Sequence, residues 1–198
     1  DAPGRRAGLM YEITLENATA RSDGIQEGRS KVYAVRTEGG GRPPEVIFDA
    51  LAGSKVIVFR TDPTPVGAVK DRTEMQIYSG VDFDRPWAIA MKVFIPEHVQ
   101  FTDNWHSFAQ CPQGNVINPP FNLAFVAPGR LAIVARTDEK AYNSLFSTDM
   151  PKGRWVRLEL EFVMGDNGHV RMWMDDRLLF DQAAVLRFKV GDRRCNFK

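Results

Sequence analysis

Between Arg154 and Val163 the chain alternates Val156, Leu158, Leu160 and Phe162 with Trp155, Arg157, Glu159 and Glu161. A period of two places four apolar side chains on one side of an extended backbone and the charges on the other, which makes this stretch a strand with one buried face. No stretch elsewhere supports a helix longer than two turns, so other strands must cover that face.

They are easily found. Tyr11, Ile13 and Leu15 alternate with Glu12, Thr14 and Glu16, and residues 17 to 30 read as a loop. Lys31 to Thr37, Val46 to Phe48, Lys55 to Arg60 and Asp71 to Ile77 follow as strands, with breaks at Gly39 to Pro44 and Thr61 to Pro65. Ser79-Gly80 reads as a turn before Trp87 to Ile95, a strand apolar enough to be buried on both faces, which Pro96 ends. Asn104 to Gln110 is next. Leu123 to Val126 and Leu131 to Ala135 flank a hairpin signal at Pro128-Gly129. Gly165 to Gly168 turns the chain into Val170 to Met174, Asp175-Asp176 turns it into Leu178 to Phe180, and Leu186 to Val190 makes a last strand. Pro96 to Gln100 and Gln182 to Val185 are candidate helical turns. The expectation is an all-β protein, an antiparallel two-sheet jelly-roll sandwich of concanavalin A-like type with short helical turns. We expect a single domain over residues 1 to 198, with 1 to 9 a loose terminus.

Composition narrows function. Lys and Arg number 26 against 25 acidic residues, and no basic run stands out, so nucleic acid is not an expected partner. No apolar run is long enough to span a bilayer, so membrane insertion is not expected either. Three histidines without metal-ligand spacing give no reason to expect zinc, and neither a metal nor an organic cofactor is expected. Cys111 and Cys195 suit one disulfide or two buried thiols equally.

The chemistry gathers at two stretches. On a strand, Arg72, Glu74 and Gln76 share a face opposite Met75 and Ile77. In Asn104-Trp105-His106-Ser107-Phe108-Ala109-Gln110, His106, Phe108 and Gln110 share one face. Two such strands offer rows of polar side chains to a polar ligand. A plain ion pair on a solvated sheet explains Arg72 with Glu74 as well, and a structural histidine explains His106. Trp87 opens an apolar strand and reads as core, while Trp155 and Trp173 suit sugar stacking or core filling equally.

The succession Arg72-x-Glu74, Trp87-Ala88 with Pro96, Asn104-Trp105-His106-Ser107-x-x-Gln110, Pro119-Pro120-Phe121, Gly153-x-Trp155, Gly168-x-Val170-x-x-Trp173-x-Asp175 and Phe188-Lys189-x-Gly191 resembles the concanavalin A-like jelly-roll polysaccharide lyases, the glucuronan, alginate and heparin lyase-like groups. It covers Val46 to Arg193. The resemblance implies a concave sheet that holds a uronic-acid polymer and cleaves it by β-elimination. One group neutralises the uronate carboxylate, a base takes the adjacent proton, and an acid protonates the leaving oxygen. In this mapping Arg72 is the groove arginine, Glu74 the acid that orients it, Gln110 the groove glutamine, and Lys189 with Gly191 the closing strand.

Two positions depart from the pattern. Where the family has a histidine two places after the glutamine this chain has Pro112, and where the closing motif has a tyrosine it has Arg193. Each missing acid or base removes roughly a hundredfold or more. His106 is four residues from Gln110, about 13 Å along a strand, so Tyr142 and Tyr78 are further candidates for the proton transfers.

The expected site therefore comprises Arg72, Gln110, His106 and Tyr142 as catalytic candidates and Glu74, Gln76, Tyr78, Lys189 and Arg193 as binding residues. The expected function is binding of an acidic polysaccharide with weak or no cleavage, in an extracellular or virion-surface setting and with a homo-oligomer or larger assembly allowed. An active lyase and a structural or adhesion domain, such as part of a virion, are the alternatives.

Overall fold

A computed structural model describes residues 18–21, 24–27, 31–38, 41–60, 72–76, 78–101, 106–113, 119–127, 129–137, 142–188 and 193–198. Among them are sixteen strands and no helix, and every pairing is antiparallel. The chain divides into two compact units, Asp1–Gln76 and Ile77–Lys198.

In the first unit, β1 (Ala18–Arg21), β2 (Gly24–Glu27) and β3 (Lys31–Glu38) form a meander. A two-stranded ribbon follows, β4 (Glu45–Asp49) with β5 (Ser54–Val58), and β6 (Arg72–Met75) adds to β3. The expected loop over residues 17 to 30 is thus largely a hairpin. Ala18 and Ile25 are buried in it, seven residues apart, a spacing that shows no alternation in the sequence. The expected strand Tyr11 to Leu15 lies outside the described residues.

The second unit comprises β7 (Tyr78–Asp82), β8 (Pro86–Phe94), β9 (His106–Cys111), β10 (Phe121–Ala127), β11 (Arg130–Ala135), β12 (Asn143–Asp149), β13 (Trp155–Val163), β14 (His169–Met174), β15 (Arg177–Ala183) and β16 (Arg194–Phe197). One sheet runs β15-β14-β13-β8. The other joins β12-β11-β10-β9 to β16-β7 through a reciprocal pair, Gln110 N–H to Lys198 O and Lys198 N–H to Gln110 O, both 3.0 Å. A disulfide between Cys111 and Cys195, Cα atoms 5.4 Å apart, ties the same two strands and decides between the two readings of the cysteines.

The two sheets face one another across an apolar core, the sandwich that the alternation at β13 requires. Phe121 of β10 stacks on Phe162 of β13 at 5.3 Å between centroids, Phe162 stacks on Phe197 at 6.1 Å, and Phe146 of β12 meets Phe180 of β15 at 5.3 Å. Each fully buried ring contributes roughly 1.5–3 kcal/mol in removed apolar surface. The Asp175-Asp176 turn between β14 and β15 has φ of 49° and 64°, the left-handed pair of a two-residue hairpin. It is closed by Arg157 N–H donating to Asp175 Oδ1 at 2.9 Å.

Several local expectations are corrected. Ser79-Gly80 is not a turn: Gly80, at φ 93°, is the extra residue of a bulge inside β7, where Cys195 pairs with Val81 and Asn196 with Ser79. Strand β8 is not buried on both faces, since Ala88, Ala90 and Lys92 are exposed at the end of its sheet. Trp87 is core-packed, its Nε1–H bonded to Asp82 O at 3.0 Å. Pro96 to Gln100 makes the single turn expected of it, Val99 N–H to Pro96 O, whereas Gln182-Ala183 continues β15 and is no helical turn. Leu186 to Phe188 is not a strand, because a side chain takes its backbone donor: Phe188 N–H bonds the carbonyl of buried Gln113 at 2.8 Å. The last strand is β16 instead.

Candidate functional site

Strand β16 shows which side chains the six-stranded sheet turns away from the core. Cys195 and Phe197 are 2% and 1% exposed and belong to the core, so Arg194, Asn196 and Lys198 project from the opposite face. Gln110 and Lys198 exchange both backbone hydrogen bonds, which makes them directly opposed residues with side chains on the same face. On the other side of β9 the register runs Gln110 to Asn122 to Val134 to Ser144, a row across four strands.

Asn122 is the unusual member of the row. It is 2% exposed within a strand that is otherwise apolar, and it donates from Nδ2 to Ser107 Oγ at 2.8 Å. Among the described residues its buried Oδ1 has no donor. An unmet buried acceptor costs about 1–3 kcal/mol, a sacrifice that a valine like its neighbour Val134 would avoid.

A bulge at Phe108 decides where the expected histidine goes. Leu123 pairs with Ala109 but Ala124 pairs with Ser107, so the alternation along β9 is reset by one residue. Ser107 therefore joins the face of Gln110. His106 falls opposite core residue Phe125, with its ring 6.0 Å from that of Phe101. The expectation that His106, Phe108 and Gln110 share a face is corrected for that reason.

Along the row toward β12, Ala135 is in the core, so Arg136 projects outward, and its guanidinium lies 5.7 Å over the Tyr142 ring. Arg130 occupies the far edge, bonded to Asp149 Oδ1 at 2.8 Å and Ser147 Oγ at 3.0 Å, and Arg194 bonds Asp82 Oδ1 at 2.8 Å. The face thus carries hydroxyl, carboxamide and cationic groups, as an anionic and hydroxyl-rich ligand requires.

The remaining expected residues stand elsewhere. Arg193 precedes β16 and pairs with Asp84, while its carbonyl accepts from Phe83 N–H at 3.1 Å. Lys189 lies outside the described residues. Tyr78 is opposite Phe197 in register. In the first unit Glu74 is opposite Arg36 and Arg72 opposite Glu38 in register, and Gln76 follows β6 half-buried. Trp155 and Trp173 belong to the other sheet. The clearly shifted carboxylates lie away from the Gln110 face: backbone and arginine donors hold Asp175, and His169 and Arg171 hold Asp181, below the usual carboxylate range. Among the described residues no cluster of three or more acidic, histidine or cysteine side chains is placed to hold a metal.

A family model described as polysaccharide lyase matches residues 25–198. The chain belongs to the polysaccharide lyase family. The crystal structure of the endo-β-1,4-glucuronan lyase from the fungus Trichoderma reesei superposes on this lyase-family chain with a TM-score of 0.67, at 15% identity, over 88% of this chain and 80% of that one. At that identity the likeness establishes the shared jelly-roll fold. No curated protein matches the chain.

Family membership sharpens the meaning of β16. The chain carries two Phe-Lys dipeptides, Phe188-Lys189 and Phe197-Lys198, and it is the second that stands beside Gln110, with Phe197 in the core and Lys198 on the outward face. Sequence reasoning missed Lys198, Asn122 and Ser107. The second Phe-Lys and the lone asparagine in Phe121-Asn122-Leu123-Ala124-Phe125 were the available signals.

Proposed function

We propose that this polysaccharide lyase-family protein binds an acidic polysaccharide on the outward face of its six-stranded sheet, with Gln110 and Lys198 at the centre of the site. The observation that carries the reading is their reciprocal 3.0 Å backbone pair, which sets a carboxamide donor and an ammonium side by side. A uronate carboxylate takes both, one by hydrogen bond and one by charge-assisted hydrogen bond. Exposed Ser107, held by Asn122 Nδ2 at 2.8 Å, stands on the same face for a sugar hydroxyl to meet. The Cys111–Cys195 disulfide supports an extracellular, oxidising setting.

Cleavage by β-elimination is the second reading, favoured by the family and by the position of Phe197-Lys198. In it the same pair neutralises the carboxylate while charge builds on it as the neighbouring carbon loses its proton. Pro112 still holds the place of the usual histidine. Arg72→Ala belongs among the variants assayed, because the resemblance to the lyases implies a groove arginine there.

Calorimetric titration with glucuronan, alginate, hyaluronan and heparin, beside a neutral glucan, tests the first reading. Salt-sensitive binding to at least one acidic polymer and none to the glucan is expected, and indifference to all five overturns it. Ultraviolet absorbance of the unsaturated uronate, followed on the same mixtures, tests the second: a rise establishes elimination, and a flat trace with a bound polymer leaves a binding protein.

A further inference from the structure

We infer that an acidic polymer held at Gln110 and Lys198 runs along β9 and β16 rather than across the sheet, with Asn196 and Arg194 as its next contacts; this rests on the proposed polysaccharide reading. Burial decides the direction. Across the sheet, the outward positions of β10 and β11 beside Gln110 are Asn122 with Ala124 and Val134 with Ala132, and all four are 0–2% exposed. A polymer has no surface to lie on there.

Along the two strands the surface is open. Asn196 N–H donates to Pro112 O at 3.3 Å and Gln113 bridges to Cys195, which continues the register that opposes Gln110 to Lys198. Cys111 and Gln113 are buried, as are Cys195 and Phe197, so Pro112, Asn196 and Arg194 share the outward face with Gln110 and Lys198. None of these five is buried, and Asn196 and Arg194 are exposed, as is Ser107 at the other end. From Lys198 to Arg194 is four residues, about 13 Å, a span that one sugar ring at Gln110 does not cover.

The chemistry along this strip suits an anionic chain. The Arg194 side chain is 71% exposed, and the bond from its Nε to Asp82 Oδ1 at 2.8 Å orients a guanidinium fork that carries five N–H donors. A second uronate carboxylate meets the solvent-facing donors of that fork. Between Arg194 and Lys198, Asn196 supplies a carboxamide, donor and acceptor together, for the sugar hydroxyls that pass Pro112.

Charge and bulk each test the path. Glucuronan, alginate, hyaluronan and heparin, as long chains and as disaccharides, are titrated into wild type, Arg194→Gln, Asn196→Trp, Arg154→Gln and Ser144→Trp, with melting temperatures recorded alongside. Arg154 is an exposed, ion-paired arginine just before β13 of the other sheet, and Ser144 is the exposed far end of the row across the strands. Arg194→Gln is expected to weaken long-chain binding roughly three- to tenfold and to leave disaccharide binding and melting temperature unchanged. Asn196→Trp is expected to weaken long-chain binding at least as much, while Arg154→Gln and Ser144→Trp bind as wild type does. Loss with Ser144→Trp, equal loss from Arg194→Gln and Arg154→Gln, equal loss for both lengths with Arg194→Gln, or no loss from either β16 variant overturns the path and leaves the polysaccharide reading in place. Wild type that binds none of the four polymers removes that reading, and the path with it.

Discussion

Gln110 and Lys198 face each other across β9 and β16, each accepting the backbone N–H of the other at 3.0 Å. One residue along on each strand, the side chains turn inward: Cys111 and Phe197 are both buried in the core. The same two strands therefore contribute to the core on one side and present a carboxamide and an ammonium on the other. The disulfide from Cys111 to Cys195 holds that arrangement in register.

Removing the disulfide tests how much the staple contributes. Its partners are separated by 84 residues, and a loop of that length stabilises by about 4.6 kcal/mol in the chain-entropy account. Cys111→Ala/Cys195→Ala is expected to lower unfolding free energy by about 2–5 kcal/mol, read from urea titration against wild type. An unchanged midpoint would show that β16 is held without it.

Phe162 is gripped between Phe121 and Phe197. Phe162→Ala is expected to cost about 3–5 kcal/mol. Phe48→Ser, at a side chain 69% exposed in the β4–β5 ribbon, is expected to stay within about 0.5 kcal/mol. Chemical denaturation of both variants checks the contrast, and similar losses would mean that the ribbon is covered in solution.

Gln113 is 1% exposed, and its carbonyl takes the N–H of Phe188, 75 residues away. Gln113→Leu keeps most of the volume but strands that donor, at an expected cost of about 1–3 kcal/mol. Amide hydrogen exchange at Phe188 should accelerate with it. Protection equal to wild type would mean that another acceptor replaces Gln113.

Asp175 is held below the usual carboxylate range chiefly by the Arg157 backbone N–H and then by Arg154, and Asp181 by His169 and then Arg171. A depressed folded-state value means stability that is present above the ordinary carboxylate value of 3.8 and lost as pH falls through the lower folded value. Melting temperature is expected to decline from about pH 4 downward. The Asp175→Asn variant should show a shallower decline, and an acid limb as steep as that of wild type would assign the effect to other carboxylates.

Much of the sandwich was legible in the chain because its inner faces follow strict alternation, as at Val156, Leu158, Leu160 and Phe162. What escaped were places where a single residue resets the pattern or where polar residues form strands. Neither the Phe108 bulge, which parts His106 from Gln110, nor the Gly80 bulge inside β7 changes local composition. Strand β12, Asn143-Ser-Leu-Phe-Ser-Thr-Asp149, went unread because only Leu145 and Phe146 are apolar and they are adjacent. Lys198 was hidden by the earlier Phe-Lys, and only the register of β16 shows which of the two stands beside Gln110.

The most direct test of the central claim is the affinity of Lys198→Met for the acidic polymer that wild type binds best, measured at low and high salt. A charge-assisted hydrogen bond is worth about 1.5–3 kcal/mol, so the account predicts roughly ten- to a hundredfold weaker binding at low salt, a smaller salt dependence, and an unchanged melting temperature. Binding of wild-type strength and salt dependence by Lys198→Met would contradict it.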